Sequence, residues 1–224
     1  LKGNASLVSL LLDHGAEPRL RNKDGYTPVH LASQYNQLTA LQLMVRAQPS
    51  SALLATRNGR LPIHLAARQG GREVVLWFLE AASENLPAML EAEDSAGADV
   101  LQDAVVSGSV PLLNFLLASH RLTRPEHSTG KTILHLACMA NHLLVLEYLY
   151  QHDMVGDPNV RDTWDGWSPL MYSARYGDVN IIDFLIRRCQ ANKQLTDRHG
   201  RTALDIGKLF AILIYIRPYF VFTL

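Results

Sequence analysis

The chain of 224 residues has only two cysteines, Cys138 and Cys189. Two thiols are too few for a disulfide framework or a four-cysteine zinc site. An excess of one charge is also missing: 21 Lys and Arg face 21 Asp and Glu. Gripping nucleic acid requires many unpaired cations that displace counterions, and a polybasic membrane-surface protein needs the same excess. Neither class fits a neutral chain. No apolar run reaches the roughly 20 residues of a transmembrane helix. The closest, AILIYIRPYFVFTL, is interrupted by Arg217 and Pro218. The opening LKGNAS lacks a basic region followed by an apolar one, so no signal peptide is expected. No H-E-x-x-H, C-x-x-C, G-x-S-x-G or Walker loop occurs.

What is present is self-similarity at a fixed period. DGYTPVHLASQYN, NGRLPIHLAARQG, AGADVLQDAVVSG, TGKTILHLACMAN, DGWSPLMYSARYG and HGRTALDIGKLFA align without gaps. Their leading glycines, Gly25, Gly59, Gly97, Gly130, Gly166 and Gly200, lie 34, 38, 33, 36 and 34 residues apart. All but the last are followed by a second apolar stretch, such as REVVLWFLE and VNIIDFLIR. Another such stretch, SLVSLLLDHGAEP, opens the chain without a first half.

Each position has a physical role. Thr27, Thr132, Thr202 and Ser168 stand where a helix N-cap needs an acceptor, and Asp99 serves the fourth unit. Pro28, Pro62 and Pro169 follow at the first helical position, where a missing N–H costs nothing. Val29, Ile63, Leu101, Leu134, Leu170 and Leu204 are expected to face a core, and Ala32, Ala66, Ala104 and Ala137 allow close helix approach. Gly70, Gly108 and Gly177, with Asn36 and Asn141, suit a turn of positive φ. The second helix carries apolar residues in i, i+3, i+4 steps: Val74, Val75, Phe78 and Leu79, then Ile181, Ile182, Leu185 and Ile186. Each unit reads as helix, turn, helix and hairpin loop, and buries its apolar faces only by stacking on its neighbours. The reading is one array: a partial repeat at 1–21, repeats at about 22–55, 56–93, 94–126, 127–162 and 163–196, and a partial repeat at 197–208. An apolar tail, 209–224, ends the chain. Insertions around Ala82–Leu90 and Asp153–Pro158 are expected to lengthen surface loops.

The period, the TPLH-like opening and the LL-x-x-GA ending resemble the ankyrin repeat family, from about Leu7 to about Lys208. The resemblance implies an all-α ankyrin-repeat solenoid that binds a protein partner. It implies no catalysis, cofactor, metal or small-molecule substrate, and a cytoplasmic or nuclear location. Partners of such proteins dock along the concave face formed by hairpin tips and first helices. Carried onto this chain, the variable positions there are Lys23, Asp24, Tyr26, Gln34 and Tyr35, then Arg57, Asn58, Arg60, Arg68 and Gln69. The fifth unit offers Thr129, Lys131 and Met139. The sixth offers Trp164, Asp165, Trp167, Arg175 and Tyr176, and the last Arg198, His199 and Arg201. Trp, Tyr and Arg dominate binding hot spots. Two alternatives stay open: a targeting or regulatory domain of a larger enzyme, such as a ligase adaptor or kinase, and a membrane-associated repeat domain using the apolar tail.

Nine histidines invite a metal or catalytic reading. His30, His64 and His135 share one register, which marks them as scaffold residues joining one repeat to the next. Gln102, Met171 and Asp205 replace them elsewhere, which a catalytic role would not tolerate. His135 and Cys138, three apart, supply only two of the ligands a zinc site needs. Both cysteines read as packing residues, and Asp103 as a solvated groove residue. Arg57, Arg60 and Arg68 are either a basic cluster for a carboxylate-bearing partner or a solvated face. Trp164 and Trp167 flank Gly166 at a hairpin tip and are read as exposed contacts, with a Trp164 folded back on its neighbour as the alternative. The tail is read as an irregular cap, as a contact for a partner, another domain or a membrane, or as a truncated or non-native end. The first unit leaves Leu7–Leu12 open unless upstream residues cover it. Formal charge is −2 over residues 1–112 and +2 over residues 113–224, too mild to name a partner.

The fourth unit departs most from the pattern, lacking the proline, the histidine and the GA ending. Peptide-resolved hydrogen exchange is expected to show its weakest protection between Gly97 and Gly130; uniform protection across all units would remove that expectation.

Overall fold

The computed structural model describes residues 4–81, 86–120, 129–176 and 178–210. Over these residues the chain is helical, with thirteen α-helices and no strand beyond one isolated bridge, Thr196 to Thr202. It divides into two compact units, Leu1–Leu122 and Thr123–Leu224. The first holds α1 (Ala5–Asp13), α2 (Pro28–Gln34), α3 (Leu38–Ala47), α4 (Pro62–Arg68), α5 (Arg72–Ala81), α6 (Leu86–Glu91), α7 (Val100–Ser107) and α8 (Val110–His120). The second holds α9 (Ile133–Ala140), α10 (Leu143–Gln151), α11 (Pro169–Tyr176), α12 (Val179–Arg187) and α13 (Ala203–Leu209). In the first unit α2 packs on α4 and α4 on α7; in the second α9 packs on α11 and α11 on α13. Second helices lie against their own first helices, α3 on α2, α5 on α4, α8 on α7, α10 on α9 and α12 on α11.

The expected local signals set the helix ends. Asp99 Oδ1 accepts from the Gln102 amide at 2.8 Å, and Thr202 Oγ1 from the Asp205 amide at 3.3 Å. Pro28, Pro62 and Pro169 each open a helix. Asn36, Gly70, Gly108 and Asn141 turn the chain between helices with φ of 52°, 68°, 76° and 61°. The Gly177 turn lies outside the described residues.

The core follows the same pattern. Val29, Ile63, Leu101, Leu134 and Leu170 are buried, as are Ala32, Ala66, Ala104 and Ala137; Leu204 is only half-buried. Val74, Val75, Phe78 and Leu79 on α5 are buried, as are Ile181, Ile182 and Leu185 on α12, with Ile186 half-buried. Each fully buried side chain of this size contributes about 1.5–3 kcal/mol of transfer free energy. Cys138 and Cys189 are buried, and burial pushes their thiols up to about 12 and about 11. Neither is a thiolate at neutral pH.

One expectation changes. The first insertion is not simply a longer loop: Leu86–Glu91 is helical, with Met89 and Leu90 buried and α6 packed on α7. Met89 and Leu90 have a neighbouring helix to cover, so they fold onto it; residues 82–85 lie outside the described part. The second insertion is a surface loop, with Asp153 and Gly156 at positive φ. Leu7, Leu10 and Leu11 on α1 are about half exposed, beside Leu31 and Tyr35. The fourth unit's ending over 121–128 and the tail beyond Phe210, Pro218 included, lie outside the described residues; Leu209 and Phe210 are exposed.

The three in-register histidines join successive repeats, as their recurrence implied. His30 Nδ1 accepts from the Thr27 amide at 3.1 Å, and its Nε2–H donates to the Arg60 carbonyl at 3.1 Å. His64 Nδ1 accepts from Leu61 N at 3.0 Å and Nε2–H donates to Ala92 O at 2.9 Å. His135 Nδ1 accepts from Thr132 N at 3.0 Å and Nε2–H donates to Trp167 O at 3.1 Å. One acceptor and one donor define a neutral ring. Asp205 performs the local half of the role, its Oδ2 accepting from Thr202 N at 3.0 Å.

Burial lowers the pKa of all three rings, that of His135 from 6.5 to about 4. Between these pH values the unfolded chain binds a proton at His135 that the folded chain does not. Stability therefore falls with acidification from pH 6.5 towards 4, by on the order of 1.4 kcal/mol per pH unit for this ring. Urea unfolding across that window is expected to show the slope in the wild type and a flatter one in His135→Gln, which is also less stable at pH 7. An unchanged slope would remove His135 as its source.

Candidate functional site

The hairpins are built on a short acceptor side chain that was not singled out from the sequence. Asn22 Oδ1 accepts from the Asp24 and Tyr26 amides at 3.0 and 2.9 Å. Asp94 does the same for Ala96 and Ala98, and Asp197 for His199 and Arg201. Asp162 Oδ1 receives three amides, from Asp165, Gly166 and Trp167. The signal was legible: Asn22, Thr56, Asp94 and Asp197 each stand three residues before a repeat glycine.

Adjacent tips within each unit are then joined by a backbone bond. Arg57 N donates to Asp24 O at 3.2 Å and Ser95 N to Asn58 O at 2.8 Å. In the second unit Thr163 N donates to Thr129 O and Arg198 N to Asp165 O, both at 2.9 Å. Gly25, at φ 84°, shows why glycine recurs there: a Cβ would lie 2.8 Å from Arg57 N. The tips form a fixed platform from which side chains project.

On the first unit, Lys23, Asp24, Arg57, Asn58 and Gln69 are exposed, Tyr26 and Gln34 half-buried, and Tyr35 exposed. Tyr26 lies 5.7 Å from the His30 ring. The basic cluster is not free. Arg68 Nη1 lies 3.0 Å and Arg60 Nη2 3.4 Å from Asp103 Oδ1, and Arg60 also pairs with Asp94 at 2.9 Å. Asp103 is 1% exposed, so it is no solvated groove residue. Its α7 packs directly on α4, which carries Arg68 and closes off solvent. Burial raises the Asp103 pKa against the pull of both arginines. Of the three arginines only Arg57 keeps its charge clear of these carboxylates.

On the second unit the residues join into one chain of alternating cations and rings. Trp164 projects from the tip, 67% exposed, with Lys131 Nζ 4.7 Å from its ring centre. Lys131 also lies 5.8 Å from the Tyr172 ring, and Tyr172 packs edge-on against Trp167 at 5.0 Å. The Arg175 guanidinium follows, 5.6 Å from Trp167, 4.9 Å from Tyr176 and 4.7 Å from Phe210. Asp165 and His199 are exposed. Arg198 reaches back to the Thr163 carbonyl, and Arg201 pairs with Asp197 at 2.7 Å. Thr129 contributes its carbonyl to the tip ladder, and Met139 is half-buried on α9.

Trp167 corrects the expectation of two exposed tryptophans. It is 4% exposed, its Nε1–H donates to Asp197 Oδ2 at 3.3 Å, and its carbonyl serves His135 and Asp162 N. Gly166 reverses the chain at φ 71°, which sends Trp164 outward and Trp167 against the next hairpin. Beneath them Asp162 Oδ2 accepts from the Tyr172 hydroxyl at 2.5 Å. Burial would raise the Asp162 pKa, but the Tyr172 bond, the hairpin amides and Lys131 outweigh it and hold the carboxyl below its usual range. Asp197 is held low in the same way by Arg201 and its amides. Among the described residues no group of three His, Cys, Asp or Glu is arranged to hold a metal ion, and no helix is long and apolar enough to cross a membrane.

Stacked helix pairs, hairpin tips linked edge to edge, and projecting aromatic and arginine side chains define a helical repeat protein. The chain belongs to the ankyrin repeat family, matching ankyrin repeats (3 copies) over residues 1–88 and ankyrin repeats (many copies) over residues 134–186. It is 28% identical over 168 residues to the nuclear factor NF-kappa-B p105 subunit of Gallus gallus, covering 74% of this chain and 16% of that protein. It is 29% identical over 197 residues to the ankyrin and armadillo repeat-containing protein of Mus musculus, covering 86% of this chain and 12% of that one. The chain thus spans less than a fifth of the length of these relatives. The solved ankyrin repeat domain of Bcl-3 shares the fold, with a TM-score of 0.62 at 24% identity over 95% of this chain and 91% of that one.

The two tryptophans separate surface from core. Thermal unfolding of Trp167→Ala is expected to show a loss of about 3–5 kcal/mol. Trp164→Ala is expected to stay within about 1 kcal/mol of the wild type, the scale of one exposed cation–π contact. Equal losses would contradict the division.

Proposed function

We propose that this chain recognises a protein partner through the hairpin tips and first helices of its second unit, and performs no chemistry itself. Ankyrin repeats are generally protein–protein interaction modules, and their fold is generally non-catalytic. The observation that carries the reading is the placement of Trp164. A large aromatic ring stands two-thirds exposed on a tip whose backbone is held by Asp162 and by the Thr129 carbonyl. Rigid aromatic side chains lose little entropy on binding and dominate interface hot spots. Lys23, Asp24, Tyr35, Arg57, Asn58 and Gln69 supply the corresponding exposed positions of the first unit. Arg60, Arg68 and Trp167 are assigned to holding the platform. The proposed location is cytoplasmic or nuclear.

A second reading rests on the relatives' lengths: an array of this size is 12–16% of those proteins. The module would then target or regulate an activity carried elsewhere in a longer chain.

Affinity capture with the wild type and with Trp164→Ala plus Tyr176→Ala tests the surface. Partners recovered by the wild type are expected to be lost by the double variant while its melting curve is retained. Undiminished recovery would count against the second-unit face.

A further inference from the structure

Resting on that recognition reading, we infer that Arg175 is a specificity-determining residue of the surface, and that the segment it takes is an acidic peptide carrying Asp or Glu beside apolar residues. The argument begins with what holds the guanidinium. Its centre lies 4.9 Å from the Tyr176 ring and 4.7 Å from the Phe210 ring, with Trp167 at 5.6 Å. These contacts engage the faces of rings and leave the rim of N–H donors to find acceptors elsewhere.

No described residue accepts from that rim. The other cations of this face are committed: Lys131 to Asp162 and the Trp164 ring, Arg198 to the Thr163 carbonyl, Arg201 to Asp197. Asp178, just beyond α11, turns its Oδ1 to the Asn180 amide. Arg175 is therefore a cation positioned by its surroundings and without an ion pair among the described residues. A planar fork of this kind pairs two-pronged with a carboxylate, a geometry an ammonium cannot reproduce.

The surroundings supply the rest of the specificity. Tyr176 and Phe210, each 47% exposed, border the guanidinium, and Trp164 stands further along the same face. A segment that puts a carboxylate on Arg175 lays its neighbouring side chains on those rings. Partial exclusion of water there strengthens the ion pair. A phosphate polymer fits poorly, because its binding draws on several unpaired cations, and among the described residues of this face only Arg175 and Arg198 lack an ion pair.

The test selects peptides from a displayed random library on the intact chain, then remakes the winners with Asp and Glu changed to Asn and Gln. Winners are expected to carry an acidic residue next to aromatic or aliphatic ones. The Asn/Gln exchange and Arg175→Gln are each expected to weaken binding about tenfold to a hundredfold, the loss of a charge-assisted pair. Arg175→Lys, which keeps the charge without the fork, is expected to fall between. Circular dichroism melts confirm folding; should Arg175→Gln not fold, the Lys variant and the exchanged peptides carry the comparison. Winners without acidic residues, or acidic winners indifferent to both Arg175 variants, would overturn the inference. If such winners still depend on Trp164 and Tyr176, recognition by this face stands and only its acidic preference falls. Winners indifferent to Trp164→Ala and Tyr176→Ala as well would overturn both.

Discussion

A hairpin carbonyl in one repeat finds its donor in the repeat before it, and the rest of the structure depends on that exchange. His30, His64 and His135 each turn one ring nitrogen to their own helix start and the other to the next hairpin. A ring buried this deeply with either bond missing would leave an orphaned polar atom, which costs about 1–3 kcal/mol. The apolar faces of the first helices need the same neighbour. Hydrogen bonding and burial are thus completed by one contact, which makes stability a property of adjacent pairs of repeats.

That arrangement frees the tips for recognition. Their backbone is fixed by Asn22, Asp94, Asp162 or Asp197 from below and by the adjacent tip from the side. Side chains there can vary without loss of the fold. The price is a set of buried carboxylates, and the surroundings decide what each becomes. Asp162 and Asp197 collect enough amides and partners to be held below the usual range. Asp103 has two arginines on one oxygen and no partner for the other, so burial prevails and its pKa rises. Asp162 and Asp197, like Asp94, therefore anchor hairpins, and Asp103 absorbs the charge of Arg60 and Arg68.

Much of this was legible in one dimension. Pro28, Pro62 and Pro169, the capping Asp99 and the turn residues Asn36, Gly70, Gly108 and Asn141 act locally, through their own backbone, so their order in the chain announces them. The shared register of the histidines was legible for a different reason: a repeated contact leaves a repeated residue. Asp103 and the helix at Leu86–Glu91 were misread because each depends on a neighbour that spacing alone does not reveal. Arg68 neutralises one and α7 covers the other.

The amino-acid order by itself determined the family, the helix pairs and the positions of the tips, because caps, turns and apolar periodicity are short-range. Only the tertiary structure decided which side chains at those tips are available. Trp164 and Trp167 are the same residue three positions apart, yet one is exposed over Lys131 and the other is buried against Asp197. Arg60 and Arg175 are the same cation, yet one is spent on Asp94 and Asp103 and the other is held between rings with its donors free of described acceptors. In each pair the deciding partner from the adjacent repeat, Lys131 or Asp197 for the tryptophans and Asp94, Asp103 or Phe210 for the arginines, lies about 30 to 45 residues away in sequence, as a period of helix, turn, helix and hairpin requires.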